Sequence, residues 1–198
     1  MKLYMTEMSG NSFKVRVLCA MLGVNYDNVR IDWESREHKS PTFLALNPRG
    51  QVPVMEIEGK VFWDSTAHLV YIARKFGGET WLPSEPLQMA EVVQWLAFAQ
   101  DEVQFGLQWA RGVAVYNRRP ESLAGYLQDG KRALEILEWH LAKGNDWLAL
   151  GRATLADIAC YPYVKRAPEG NLSLSPYPAV EAWLARCEGL PGWIAMDP

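Results

Sequence analysis

The chain has 198 residues, 49% of them apolar and 22% charged, with a formal net charge of −3. That is the balance of a folded globular chain with room for one or two small domains, and it excludes a disordered one. No apolar run approaches the roughly 18 residues of a membrane span, and the charge is too small for a nucleic-acid surface. Met1 to Glu7 turns polar too soon for a secretory signal. Cys19, Cys160 and Cys187 are odd in number, far apart and free of any C-x-x-C, so no disulfide framework is expected and a reducing, cytoplasmic compartment is. Residues 1–76 are mildly basic and the remainder acidic, a bias that suits a small anionic ligand on the first part. The nine Trp are read mainly as core, with some left for a pocket or interface.

Taken in order, Lys2 to Thr6 reads as a strand and Glu7 to Ser12 as a turn rich in helix caps. Val15, Leu18, Cys19 and Leu22 then recur at helical spacing until Gly23. Asn25 to Asp32 reads as a second strand. Ser40-Pro41 opens a short helix that Asn47-Pro48 ends. Val52 to Ile57 and Lys60 to Trp63, joined by Glu58-Gly59, form a hairpin, and Ser65 is read as the cap of a helix closed by Gly77-Gly78. The order βαβ then ββα predicts a mixed four-stranded sheet.

Gly77 to Pro86 is a Pro/Gly-rich connector, and no strand is predicted after it. Val92, Leu96, Ala99, Val103, Leu107 and Ala110 make one helical stripe, and Leu123, Leu127, Gly130, Leu134, Leu137 and Leu141 a second. Thr154-Leu155-Ala156-Asp157 is a capping box opening a third helix with Pro162 inside it, and Ala179 to Cys187 is a fourth. The predicted boundaries are residues 1–77, a linker over 78–86, and a helical part over 87–198.

Three places hold chemistry. The first is Ser9-Gly10-Asn11-Ser12, between the first strand and helix, at the carboxyl end of the sheet where ligands bind. A hydroxyl there either caps the helix or donates to a bound thiolate, and S-x-x-S cannot do disulfide exchange. The second is Gln51-Val52-Pro53-Val54, where Pro53 lacks a donor; a cis Val52–Pro53 bond would leave the Val52 backbone ready to pair with an extended peptide, and an ordinary strand start is the alternative. The third is Asp64-Ser65, either plain capping or a holder for an amino-acid head group. His38, His68 and His140 form no metal motif, and no nucleotide or hydrolase signature occurs.

Together these residues resemble the cytosolic glutathione transferase family. The resemblance rests on F-L-A-L-N-P-R-G-Q-V-P-V (Phe43 to Val54), D-S-T-A-H-L-V-Y-I-A-R (Asp64 to Arg74), G-R-A-T-L-A-D-I-A (Gly151 to Ala159) and Y-P-A-V-E-A-W-L-A-R (Tyr177 to Arg186). It implies an α/β thioredoxin-like N-terminal domain followed by an all-α C-terminal helical domain. It implies glutathione as co-substrate, no metal, and transfer of the glutathione thiolate to an electrophile. A glutathione-dependent isomerase or dehalogenase, and a non-catalytic binding or regulatory protein, are the alternatives.

The resemblance also carries over residue roles. Ser9 is the expected thiolate donor, as in the serine turns of zeta-like and theta-like members, with Ser12 the choice under a register shift and Asn11 an assistant. Val52 and a cis Pro53 pair with the cysteinyl backbone, and Gln51 also touches glutathione. Asp64, where the family usually has Glu, and Ser65 hold the γ-glutamyl end. His38 and Lys39 approach the glycyl carboxylate in a phi-like pattern. From helix placement, a second-substrate pocket between the domains is expected near Met8, Trp109, Tyr116 and Tyr161. The family match implies a homodimer in which Asp101 reaches toward the neighbouring subunit's glutathione, and Trp95, Phe98, Phe105 and Trp109 form an apolar face needing cover.

Overall fold

The computed structural model of the chain describes residues 1–196. They form two compact units, one of residues 1–78 with 191–196, the other of residues 79–190. Residues 191–196, expected with the helical part, instead complete the first unit. Trp193 packs edge-on against Phe13 at 6.0 Å, and a Cβ on Gly192 would lie 3.0 Å from the Met21 backbone.

The first unit is thioredoxin-like. Its sheet has the order β2-β1-β3-β4, built from β1 (Lys2–Met5), β2 (Asp27–Arg30), β3 (Val54–Ile57) and β4 (Lys60–Trp63). The β1–β2 pair is parallel across helix α1 (Gly10–Met21), while β3 is antiparallel to both β1 and β4. β2 is shorter than the sequence suggests, because the Asp32 carboxylate turns the chain by accepting from the Glu34 and Ser35 amides at 2.9 and 3.3 Å. The β3–β4 hairpin turns on Glu58 (φ 52°) and Gly59 (φ 77°), the doubly left-handed geometry that glycine tolerates without a Cβ clash.

Strand alternation sorts the side chains onto two faces. Tyr4 and Val54, directly paired, pack with Ile31, Val52 and Trp33 under Phe43 and Leu46 of α2 (Pro41–Leu46). Leu3, Met5 and Met55 fill the other face, left to α1 and α3 (Ser65–Ile72), which pack together. A π-helical turn (Ala73–Gly77) and the short α4 (Gly78–Trp81) end this region, so the expected linker contains a helical turn.

The second unit is helical: α5 (Pro86–Gln100), a π-helical turn (Val103–Gln108), α6 (Trp109–Tyr116), α7 (Leu123–Leu141), α8 (Leu155–Lys165) and α9 (Pro178–Glu188). The first predicted stripe is buried throughout, but it does not lie on one helix: Asp101, at φ −103° and ψ −89°, interrupts it. Gly130 stands in the leucine stripe because α7 meets the π-turn there; a Cβ on Gly106 would fall on the Gly130 backbone. α8 is the central helix, with every residue from Leu155 to Val164 buried. Its capping box is formed as expected, and Asp157 also accepts from Leu148 N (3.1 Å) and Trp183 Nε1 (2.9 Å). Trp95, expected to need outside cover, is only 7% exposed; Phe98 and His140 pack edge-on to it at 5.3 and 4.9 Å.

Candidate active site

The N-terminus of α1 supplies the first part of the site. Ser9 is the N-cap: its Oγ accepts from the Ser12 amide at 3.2 Å. That bond uses a lone pair and leaves the hydroxyl hydrogen available to a ligand. Ser9 is half-buried, whereas Ser12 is fully buried and its Oγ makes no hydrogen bond among the described residues. Tyr4 is no candidate hydroxyl, because its phenol donates to Glu56 Oε2 at 2.9 Å; burial, then that hydrogen bond and the Glu56 charge, push its pKa up.

The N-terminus of α3 supplies the second part. The cap there is Asp64 rather than Ser65: Asp64 Oδ1 accepts from the Thr66 amide at 2.9 Å. A carboxylate one residue earlier reaches the free amides, while the Ser65 side chain turns inward and is 3% exposed. Ser65 Oγ donates to Asn11 Oδ1 at 3.4 Å, which brings the two helix starts together. Asp64 sits at φ 85°, ψ 125°, a conformation that costs a non-glycine residue about 1–3 kcal/mol. Its Oδ2 pairs with Arg49 Nη1 at 3.1 Å, and the Arg49 guanidinium lies 5.5 Å over the Trp63 ring.

The loop leading into β3 supplies the third. The Val52–Pro53 peptide is cis, and both residues are buried. Gln51 is exposed, and its carbonyl accepts from Asn47 Nδ2 at 2.8 Å while Asn47 Oδ1 accepts from Arg49 N at 3.0 Å. Lys39 Nζ donates to the Arg49 and Gly50 carbonyls at 3.2 and 3.0 Å. His38 is buried and stacked on Trp33 at 3.7 Å. Arg49, Asn47 and Trp33 were not anticipated. N-P-R-G carried a local turn signal for Asn47, but Arg49 gains its role only from Asp64 and Trp63, distant in sequence, and Trp33 from a stack on His38 that no local pattern announces.

Met8 belongs to the first unit and is 40% exposed. In the second unit, Trp109 stacks with Tyr126 at 5.8 Å and Tyr116 is half-buried. Tyr161, expected to line a pocket, is instead covered: it lies on the central helix, is 2% exposed, and donates to Glu188 Oε1 at 2.7 Å. Asp101 is exposed at the break after α5. Among the described residues no group of His, Cys, Asp and Glu could hold a metal ion, and no helix is long and apolar enough to cross a membrane.

Comparison with known proteins agrees with this architecture. Residues 1–74 match the family model "Glutathione S-transferase, N-terminal domain", and residues 112–191 match "Glutathione S-transferase, C-terminal domain". The chain is 31% identical to glutathione S-transferase D7 of Anopheles gambiae, over 94% of its own length and 85% of that protein's. It is 34% identical to a maleylacetoacetate isomerase of Pseudomonas aeruginosa, over 91% and 87%. Among solved structures, a glutathione S-transferase of Pseudomonas fluorescens superposes with TM-score 0.92 at 33% identity, covering 100% of this chain and 98% of that one. Joined helix starts, a cis-proline loop and a helical second unit, matched over nearly the whole length, make this chain a member of the glutathione transferase family.

Proposed function

We propose that the chain is a glutathione-dependent transferase that joins the glutathione sulfur to an electrophilic carbon. The observation that carries this reading is the Ser65–Asn11 bond, which brings two helix N-termini together. Each presents free N–H groups and a partial positive charge, and glutathione brings an anionic group for each: its thiolate to α1, and its γ-glutamyl carboxylate to Ser65 on α3, whose single hydroxyl hydrogen turns from Asn11 to the incoming carboxylate. Asp64 takes the γ-glutamyl ammonium. The Val52 backbone beside Pro53 pairs with the cysteinyl unit, and Gln51 makes a further contact. His38 and Lys39 meet the glycyl carboxylate, for which Lys39 gives up the two carbonyls it now holds.

Ser9 donates to the thiolate. A free thiol titrates near 8.5, so it is mostly protonated at neutral pH. Lowering that by two units takes about 2.7 kcal/mol, within the roughly 1.5–3 kcal/mol of one charge-assisted hydrogen bond plus a helix N-terminus. Asn11 orients Ser65, and Ser12, buried, stays structural. With an aryl halide, the thiol proton leaves to solvent, the sulfur lone pair forms the carbon–sulfur bond, and halide departs with its electron pair. On the helical unit, Trp109 and Tyr116 meet the electrophile.

We infer a cytoplasmic homodimer. Val61 and Trp63, 38% and 43% exposed on the edge strand β4, support association through the first unit, with Asp101 near the neighbouring subunit's site. Retention on glutathione resin followed by conjugation of 1-chloro-2,4-dinitrobenzene tests the main reading; retention without turnover overturns it in favour of a binding protein. The isomerase relatives support a second reading, glutathione-dependent isomerisation, in which glutathione is regenerated rather than consumed.

A further inference from the structure

Arg49 is an exposed arginine held at four points. Its amide donates to Asn47 Oδ1 at 3.0 Å, and its carbonyl accepts from Lys39 Nζ at 3.2 Å. Its guanidinium lies 5.5 Å over the Trp63 ring, and Nη1 donates to Asp64 Oδ2 at 3.1 Å. Gly50, at φ 57°, lets Lys39 come this close: a Cβ there would fall 2.7 Å from Lys39 Nζ and 2.8 Å from the His38 carbonyl oxygen. An exposed ion pair adds little to stability, and ordering a long arginine side chain costs conformational entropy. Stability alone therefore does not account for so many anchors on one exposed residue.

The Arg49–Asp64 pair stands at the start of α3, next to Ser65, and both members are open to solvent, with side chains 39% and 28% exposed. Asp64 is fixed as firmly as Arg49, by its bond to the Thr66 amide and by its left-handed backbone. Arg49 Nε and Nη2 donate to no acceptor among the described residues, so the guanidinium keeps donors for an incoming group. The pair thus sets both signs of charge side by side at fixed positions. A lone carboxylate selects a cation. A carboxylate beside a guanidinium selects a group that carries an ammonium and a carboxylate on one carbon, because the planar fork of the arginine matches the second of these. The γ-glutamyl end of glutathione is such a group, and it is neutral overall, like the pair that meets it.

We propose that Arg49 is a specificity-determining residue of the glutathione site: its guanidinium takes the α-carboxylate of the γ-glutamyl end together with Ser65, while Asp64 takes the ammonium. The thiol that this chain binds must therefore carry an intact α-amino-acid head. The proposal rests on the reading of Asp64 and Ser65 as γ-glutamyl residues, and it extends that reading from a cation to a zwitterion.

The test measures binding of glutathione and two analogues to the intact protein by titration calorimetry. 4-Aminobutanoyl-cysteinylglycine lacks only the α-carboxylate, and glutaryl-cysteinylglycine lacks only the α-amino group. The wild type is expected to bind glutathione about tenfold more tightly than either. In Arg49→Gln the preference over the aminobutanoyl peptide is expected to fall to about threefold, the share left to Ser65, while the preference over the glutaryl peptide is retained. Arg49→Lys, which keeps the charge and loses the fork, is expected to fall between wild type and Arg49→Gln, and it decides the matter should Arg49→Gln not fold. A carboxylate preference unchanged in these variants overturns the proposal. So does a parallel loss of both preferences, which shows Arg49 acting only by holding Asp64. Binding of none of the three peptides by the wild type overturns the glutathione reading and the proposal with it, whereas tight glutathione binding without dependence on Arg49 overturns the proposal alone. Conjugation of 1-chloro-2,4-dinitrobenzene, measured alongside, keeps transfer separate: Arg49-dependent binding without turnover supports the proposal and overturns the transferase.

Discussion

Ser65 Oγ donates to Asn11 Oδ1 at 3.4 Å across 54 residues of sequence, so the starts of α1 and α3 are held together by two side chains rather than by backbone. Ser65→Ala removes both the link and the proposed carboxylate contact. We expect the glutathione KM to rise about tenfold with kcat changed less, since the contact is the same in ground and transition states. Asn11→Ala should raise it less, because Ser65 keeps its hydroxyl. Initial rates at sub-saturating glutathione decide it; an unchanged KM removes Ser65 from the site.

Ser9→Ala should leave folding close to intact, since a lost cap costs about 0.5–2 kcal/mol. The thiol of bound glutathione should titrate about one to two units higher, and turnover at neutral pH should fall roughly tenfold to a hundredfold, recovering in part in alkali. Thiolate absorbance across pH measures this directly. A shift with Ser12→Ala in place of Ser9→Ala would move the donor role to Ser12.

His68 links stability to pH. It is fully buried, with Nε2 donating to the Phe62 carbonyl at 2.9 Å and Nδ1 without a partner among the described residues. Burial pushes its pKa below the ordinary 6.5, against smaller raising effects of the Phe62 bond and the Asp64 charge. The folded state therefore binds this proton less readily than the unfolded chain. Its contribution to stability is full above the unfolded value and is lost as pH falls below it. Urea midpoints should decline from pH 7.5 to 5.5, and His68→Gln should flatten that decline.

Gly106→Ala and Gly130→Ala should differ although both lie in helical stretches, where alanine gains about 1 kcal/mol. A methyl on Gly106 meets the Gly130 backbone, which cannot yield. On Gly130 it meets chiefly Leu172 Cδ1, the end of a flexible side chain, at 2.5 Å. Overpacking costs of about 1–3 kcal/mol should make Gly106→Ala clearly destabilising and Gly130→Ala close to neutral. Urea midpoints give the order.

The cysteines should be chemically silent in the native protein. All three are buried and outside any disulfide, and burial pushes the Cys19 thiol up to about 12 and Cys187 upward too. A disulfide reagent at pH 8 should titrate no thiol before unfolding and three after it. Rapid labelling of the native protein would contradict their burial.

Much of this was legible in the residues. The strand and helix order followed from punctuation by Gly, Pro and Asn, and the capping box at Thr154 is a local pattern that forms as written. What the sequence did not reveal depends on distance. Nothing near Asp64 announces that Arg49 will pair with it, and nothing near Tyr161 announces that Glu188 will take its hydroxyl. The break at Asp101 was hidden because a π-turn keeps the apolar stripe facing inward while the helix is interrupted. Ser65 was misread as a cap because Asp64 is an equally good one, and only the φ of 85° decides between them.

The packing of Trp193 on Phe13 has a consequence for biosynthesis. The first unit is contiguous in space but interrupted in sequence, since residues 191–196 belong with residues 1–78. A ribosome delivers the four strands early, yet the surface of α1 that Trp193 and Gly192 cover stays open until the whole helical unit has been translated. The nascent chain thus carries an unfinished apolar patch through most of its synthesis, and a release that comes a few codons early leaves that patch bare on a chain whose sheet is already complete.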